Sequence, residues 1–157
     1  MKKLISVFLV LLMFLSFPMI SYANDSEMAE YENGYIEYYE DGSYSITTIE
    51  ASMISTLAAS TVKQTKTTSY YSSKNEKEWD ITVIGNFTFT GSSATCTNSK
   101  VSYKIYYNNW KVTSAQASKS GRTATGEFTL KRYALGIPYK TVNETLTLTC
   151  SNTGVCS

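Results

Sequence analysis

The chain has 157 residues, which suits one domain able to bury its own core, and its formal net charge is +1 at pH 7. It contains no histidine, which excludes Ser–His–Asp and Cys–His catalysis and histidine-containing zinc sites. Its three cysteines are too few for a four-cysteine zinc site.

The first 23 residues have the three parts of a cleavable secretory signal peptide. Lys2 and Lys3 precede an apolar run from Leu4 to Phe17, and the small residues Ser21 and Ala23 precede the expected cleavage point. The apolar run is shorter than the ~20 residues that a membrane-spanning helix needs. We therefore predict a secreted, extracellular protein without a transmembrane anchor.

The chain that remains after residue 23 divides into an acidic and a basic part. Residues 24–62 contain eight acidic residues and no basic one, whereas residues 63–157 contain 12 basic and five acidic residues, a net charge of +7. This asymmetry predicts an acidic arm over 24–62 ahead of a basic domain over 63–157.

Part of the acidic arm has the pattern of a β-hairpin. Two β-rich runs, 35–39 and 43–49, flank the turn sequence Glu40-Asp41-Gly42. Residues 50–62 fit a short helix and an irregular linker equally well.

The rest of the chain alternates between apolar and polar residues with the period of half-buried strands. We predict six strands, at about 65–72, 79–90, 95–107, 110–118, 122–134 and 139–150. The connections are short and polar or contain glycine, and none could hold the crossover helix of a parallel sheet. The predicted fold is therefore all-β, a small antiparallel β-sandwich or open barrel, preceded by the arm with its hairpin.

The exported chain would keep Cys96, Cys150 and Cys156. The order Cys96, Trp110, Cys150 resembles the Cys…Trp…Cys spacing of immunoglobulin-like sandwiches, although over three positions only. We predict a Cys96–Cys150 disulfide, whose loop of about 55 residues would stabilise the fold by roughly 4 kcal/mol. A Cys150–Cys156 bridge and buried reduced thiols are the alternatives.

Aromatic residues are the one compositional excess, at 13%. The pairs Tyr70-Tyr71 and Tyr106-Tyr107 are candidate binding aromatics that could stack against sugars or a partner's apolar patch. The opposing interpretation is that one ring of each pair faces the core and the other faces solvent, as adjacent strand residues do.

No catalytic, metal or cofactor site is predicted, and no nucleic-acid-binding motif is present. The carboxylates Glu127 and Glu144 lie on predicted strands, where such groups are ordinarily solvated. We therefore expect a protein that is not an enzyme. The basic residues are scattered along the sequence and could bind anionic wall polymers or lipids, or simply keep the domain soluble.

Three stretches, 91–97, 131–133 and 147–151, resemble a group of small secreted proteins of Gram-positive Firmicutes over about residues 65–157. The resemblance implies a bacterial origin and an extracellular address, without an activity. It also implies two cysteines near Cys96 and Cys150, so Cys156 departs from the pattern.

Together these features lead us to expect a non-catalytic extracellular module that binds a surface polymer or another protein. The alternative is a secreted antibacterial or membrane-active protein, which the basic domain favours.

Overall fold

The computed structural model describes residues 27–31, 34–55 and 60–157, and these form nine β-strands. The predicted signal peptide lies outside the described residues. The strands are β1 (Glu27–Tyr31), β2 (Gly34–Tyr38), β3 (Tyr44–Ser55), β4 (Ser60–Tyr71), β5 (Lys77–Phe89), β6 (Ala94–Ile105), β7 (Trp110–Ser120), β8 (Thr123–Ala134) and β9 (Ile137–Thr149).

The strands build two antiparallel sheets in which each strand pairs with its neighbours in sequence. The larger sheet has the order β1-β2-β3-β4-β5-β6, and the smaller has the order β7-β8-β9. Side chains of β4, β5 and β6 pack against those of β7, β8 and β9 to form a single core. The prediction of an all-β sandwich is confirmed, whereas the Greek-key connections of an immunoglobulin fold are not found among the described strands. The described part of the chain contains no helix able to cross a bilayer.

The six predicted strands correspond to β4 through β9, and the predicted hairpin corresponds to β2 and β3. The helix or linker predicted for residues 50–62 is wrong where the chain is described. Residues 50–55 continue β3, and residues 60–62 begin β4. β3 pairs with β4 over its whole length, from Tyr44↔Tyr71 to Ser55↔Ser60. The predicted boundary at residue 62 therefore falls inside a strand, and the hairpin belongs to the larger sheet.

The central strand β5 follows the alternation that the sequence predicts. Ile81, Val83 and Phe87 are fully buried, and Thr82, Ile84 and Asn86 are half-buried on the opposite face. Two glycines let the layers approach: a Cβ at Gly126 would lie 2.8 Å from the Val101 side chain, and one at Gly85 would overlap the Phe87 ring. A larger residue at Gly126 would press on Val101 of the facing sheet, whereas one at Gly85 would first meet the Phe87 ring of its own strand.

A β-bulge interrupts the alternation where β5 begins. Tyr70 pairs with Trp79 and Tyr71 pairs with Lys77, so Glu78 has no partner on β4. A bulge turns two successive side chains to the same side of a sheet. Both Glu78 and Trp79 consequently point into the protein, with 2% and 1% of their surfaces exposed.

The predicted Cys96–Cys150 disulfide is wrong, because Cys150 is bonded to Cys156. After β9 the chain turns back through residues 151–155, and Thr149 and Ser157 exchange two backbone hydrogen bonds of 2.9 and 3.1 Å. This return places Cys156 directly beside Cys150. Cys96 remains a buried thiol that donates to the Asn98 carbonyl oxygen at 3.3 Å.

The pairing of the cysteines gives a first prediction. A non-reducing peptide map should join Cys150 to Cys156. An alkylating reagent should modify Cys96 only after denaturation, because the thiol is 3% exposed and burial raises its pKa. A map joining Cys96 to Cys150, or rapid alkylation of Cys96 in the native protein, would contradict the structure.

Candidate functional site

The up-and-down order of the strands brings four connections to the same end of the sandwich. They are residues 39–43, 72–76, 106–109 and 135–136, and we call the end that they form the aromatic end. Of the exposed large hydrophobic side chains in the described residues, all but Val155 lie at or next to this end. They are Tyr38, Tyr103, Tyr106, Tyr107, Leu135, Ile137 and Tyr139.

Glu78, which the bulge turns into the protein, holds the aromatic end in place through hydrogen bonds. Its two carboxylate oxygens accept hydrogen bonds from Trp110 Nε1 at 2.7 Å and from Arg132 Nη2 at 2.9 Å. Its backbone carbonyl accepts the amides of Tyr106 at 2.9 Å and Tyr107 at 3.2 Å. One residue of the larger sheet therefore holds both strands β7 and β8 and the connection that carries the two tyrosines.

A cleft with a volume of about 200 Å³ opens between these connections. Tyr107, which is 46% exposed, and Arg132 form one part of its wall, with the guanidinium carbon 5.7 Å from the Tyr107 ring centroid. Asp41, Lys74 and Glu76 add charged groups, and serines 43, 72 and 73 add hydroxyls. The cleft thus combines an aromatic surface with both donors and acceptors.

Lys140 ties the β2–β3 turn to the smaller sheet beside this cleft. Its Nζ lies 3.3 Å from Asp41 Oδ2 and donates to the Tyr70 hydroxyl at 3.3 Å. Burial lowers the Lys140 pKa, but the contacts with Tyr70 and Asp41 outweigh it, so the pKa is raised overall. The hydroxyl and amide of Ser43 hydrogen-bond to Asp41 and, with Lys140, lower the pKa of that carboxyl.

Another group of tyrosines lies on the outer face of the larger sheet. Tyr38, Tyr44 and Tyr71 are aligned across β2, β3 and β4. The Tyr44 and Tyr71 rings are parallel within 5°, with centroids 4.9 Å apart. Because their faces are turned to one another, this row stabilises the sheet and does not offer a flat platform for a sugar.

The four predicted binding aromatics lie in different environments in the structure. Tyr70 is a core residue, 4% exposed and stacked on Trp79 at 5.0 Å, so it cannot stack on a ligand. Tyr71 faces outward in the tyrosine row. Tyr106 is exposed, but Lys77 and Lys104 lie 5.2 and 4.6 Å from its ring centroid and its hydroxyl donates to Asp80 at 2.7 Å. Only Tyr107 presents an exposed ring to the cleft.

The sequence does not reveal that Glu78, Arg132, Lys140 and Asp41 lie together at one end of the fold. They lie on β5, β8, β9 and the β2–β3 turn, far apart in the sequence but next to connections at the same end. The position of these residues in the strand order could have indicated the site, because alternate connections of an up-and-down sandwich lie at the same end. Arg132 and Lys140, which are scattered among the other basic residues in the sequence, lie close together for this reason.

The two carboxylates considered for catalysis lie on opposite faces of the smaller sheet. Glu127 is opposite Thr145 and exposed, whereas Glu144 is opposite Phe128 and points toward the larger sheet. Both residues line one shallow depression of this sheet, but their side chains extend to opposite faces of it.

Comparisons with protein-family models, curated proteins and solved structures found no match to this chain.

Glu144 lies between the sheets near two groups of β2 and the following turn, Glu37 and Tyr39. Burial, and then the negative charge of Glu37, raise the Glu144 pKa from its ordinary 4.5 to about 6. Burial likewise raises the pKa of Tyr39 to about 12, and its hydroxyl donates to Ser45 Oγ at 3.2 Å. Both residues are half-buried.

The Glu144 environment gives a second prediction. A folded-state pKa above the unfolded value means that the contribution of Glu144 to stability is complete below about pH 4.5 and is lost as the pH rises through about 6. Glu144→Gln should therefore raise the free energy of unfolding at pH 7.5 by about 1–2 kcal/mol and change it little at pH 4. Urea unfolding at several pH values measures this.

The matched control is Glu127→Gln, which removes an exposed carboxylate from the outer face of the same sheet. It should change stability by less than about 0.5 kcal/mol at either pH. A Glu144→Gln effect that is equal at pH 4 and pH 7.5 would contradict the raised pKa.

Proposed function

We propose that this chain is a secreted, non-catalytic extracellular module that binds a saccharide unit of a surface polymer in the cleft at the aromatic end. The observation that carries the proposal is the exposed Tyr107 ring beside the Arg132 guanidinium on the wall of an open cleft. Among the residues that line the cleft, Tyr107 is the exposed aromatic one.

The chemistry of the cleft suits a sugar. A sugar ring presents C–H groups on its faces and hydroxyls around its rim, so it needs an aromatic face and polar groups at its edges. Tyr107 offers the face, Arg132 and Lys74 donate, and Asp41 accepts. A volume of about 200 Å³ is on the scale of one sugar ring, and the cleft is open, so a polymer can continue beyond it.

The cleft is held in place before any ligand binds. The Tyr107 amide donates a hydrogen bond to the Glu78 carbonyl, and the Trp110 amide donates one to the Tyr107 carbonyl at 3.0 Å. A preformed site loses less conformational freedom on binding, which favours affinity.

The environment of Glu78 supports the non-catalytic part of the proposal. Both of its carboxylate oxygens already accept hydrogen bonds, and its side chain is 2% exposed. A general acid or base must reach the atom whose proton it transfers. Glu78 instead positions Arg132 and Trp110.

Binding to insoluble cell-wall polysaccharide tests the proposal. Tyr107→Ala should weaken the binding of residues 24–157 by about tenfold or more, since loss of a central aromatic at an interface costs more than ~1 kcal/mol. Depletion of the soluble protein by increasing amounts of polysaccharide gives the dissociation constant. The fold should survive, because the hydrogen bonds of Tyr107 in the connection are made by its backbone.

Tyr103→Ala is the matched control, because Tyr103 is 53% exposed near the same end but is not part of the cleft wall. It should bind as the unaltered chain does. Equal losses for both variants, or no binding of the unaltered chain to any wall polysaccharide, would overturn the proposal. Dye release from liposomes at micromolar protein would favour the alternative of an antibacterial, membrane-active protein.

A further inference from the structure

The turn between β8 and β9 carries a leucine in an unfavourable backbone conformation. Leu135 and Gly136 form a two-residue hairpin turn with φ angles of 50° and 82°. Turns with two positive φ angles favour asparagine, aspartate or glycine, and a leucine side chain is strained there. Leu135 is also fully exposed. It therefore contributes nothing to the fold that asparagine would not provide better.

The residues that follow extend this apolar surface. Ile137 is 69% exposed and Tyr139 is 58% exposed, both at the start of β9. We call Leu135, Ile137 and Tyr139 the hairpin tip. The turn stands clear of other segments, since Leu135 is fully exposed and a Cβ at Gly136 would meet no atom within 4 Å, so the tip is a narrow two-strand hairpin.

Four basic residues surround the base of the hairpin tip: Lys111 on β7, Lys131 and Arg132 on β8, and Lys140 on β9. Arg132 is paired with Glu78, and Lys140 lies near Asp41. Among the described residues, Lys111 and Lys131 have no carboxylate within ion-pairing distance, and Lys111 Nζ lies 5.1 Å from the Tyr133 ring centroid. The tip is thus apolar at its end and positively charged at its base.

We propose that the hairpin tip inserts into the interfacial layer of an anionic lipid bilayer. Apolar side chains enter the boundary between headgroups and acyl chains, tyrosine prefers the headgroup level, and lysines attract anionic headgroups. Along the hairpin, the aliphatic Leu135 and Ile137 come first, then Tyr139, then the basic residues, which is the order of acyl boundary, headgroup level and anionic surface. A protein partner would instead need a complementary surface of roughly 1,000 Å² or more, which a narrow tip does not offer. This inference does not depend on sugar binding in the cleft.

The depth of insertion is shallow. Leu135 and Ile137 are the aliphatic residues of the tip, and Arg132 and Lys140 lie only a few residues behind them. The tip can therefore enter one leaflet without crossing it, so the bilayer should stay closed.

Flotation with vesicles tests the inference. Residues 24–157 should float with vesicles that contain phosphatidylglycerol and phosphatidylcholine, and much less with phosphatidylcholine alone. Leu135→Asn together with Ile137→Thr should reduce the partition coefficient by about tenfold or more. Leu135→Asn places a favoured residue in the turn, so its thermal midpoint should equal or exceed that of the unaltered chain. Lys111→Gln with Lys131→Gln should weaken binding to the anionic vesicles and reduce its dependence on salt.

The control is Val155→Asn, which removes an exposed apolar residue, 71% accessible, at the opposite end of the sandwich. Its partition coefficient should not change. The inference is overturned if the tip variants float as well as the unaltered chain, if Val155→Asn loses as much binding, or if lipid charge has no effect. Wall-polysaccharide binding by the tip variants should be unchanged, which separates a failure here from a failure of the proposed function.

Discussion

The aromatic end depends on one buried carboxylate. The bulge at the start of β5 turns Glu78 inward, and its side chain then joins β7 through Trp110 and β8 through Arg132. A buried charge is costly unless it is fully hydrogen-bonded, and here both oxygens are satisfied. Because its carbonyl also holds the amides of Tyr106 and Tyr107, the same residue joins the two sheets and positions the exposed aromatics.

The strands could be predicted from the sequence because their alternation is regular. The stretch Ile81 to Phe87 shows it clearly, and the predicted start of β5 lies two residues after the observed start at Lys77. The bulge could not be predicted, because a charged residue next to a tryptophan fits ordinary alternation, with Glu78 facing solvent and Trp79 facing the core. In the structure both side chains face inward. β3 extends to Ser55 although Glu50, Ala51 and Ser52 are all exposed and show no apolar pattern. Backbone pairing with β4 makes that segment a strand, and side-chain patterns do not report it.

The observed Cys150–Cys156 bridge is one of the pairings that the sequence allows, but neither the choice between the pairings nor the members of the site follow from the sequence. The closing of residues 150–156 depends on a turn that returns the chain to β9, and Gly154 adopts a φ of +86° in it. Of the four predicted aromatics only Tyr107 lines the cleft with an exposed ring. Tyr70 faces the core in phase with the buried Val62, Gln64 and Thr68 of β4. Tyr106 and Tyr107 lie in a connection, where no strand alternation determines which ring is exposed. Arg132 and Asp41 are 91 positions apart in the chain and meet only because both flank connections at the same end.

The charge asymmetry has a smaller structural role than the sequence suggests. β2 and β3 of the acidic segment join the larger sheet through backbone hydrogen bonds. Among the described residues, the one ion pair between the acidic segment and the basic part is Asp41 with Lys140, which is largely exposed and worth at most about 1 kcal/mol. The negative charges of Glu37 and Glu144 repel each other. Sheet pairing, and not charge attraction, attaches the hairpin.

The central claim is that Glu78 couples the two sheets beneath the aromatic end. A double-mutant cycle on the free energy of unfolding, with Glu78→Gln and Arg132→Gln singly and together, measures this coupling directly. If the buried pair links the sheets, the coupling energy should be about 1.5 kcal/mol or more, because a hydrogen bond between charged groups is lost in each single variant. Losses that add within about 0.5 kcal/mol would contradict the account.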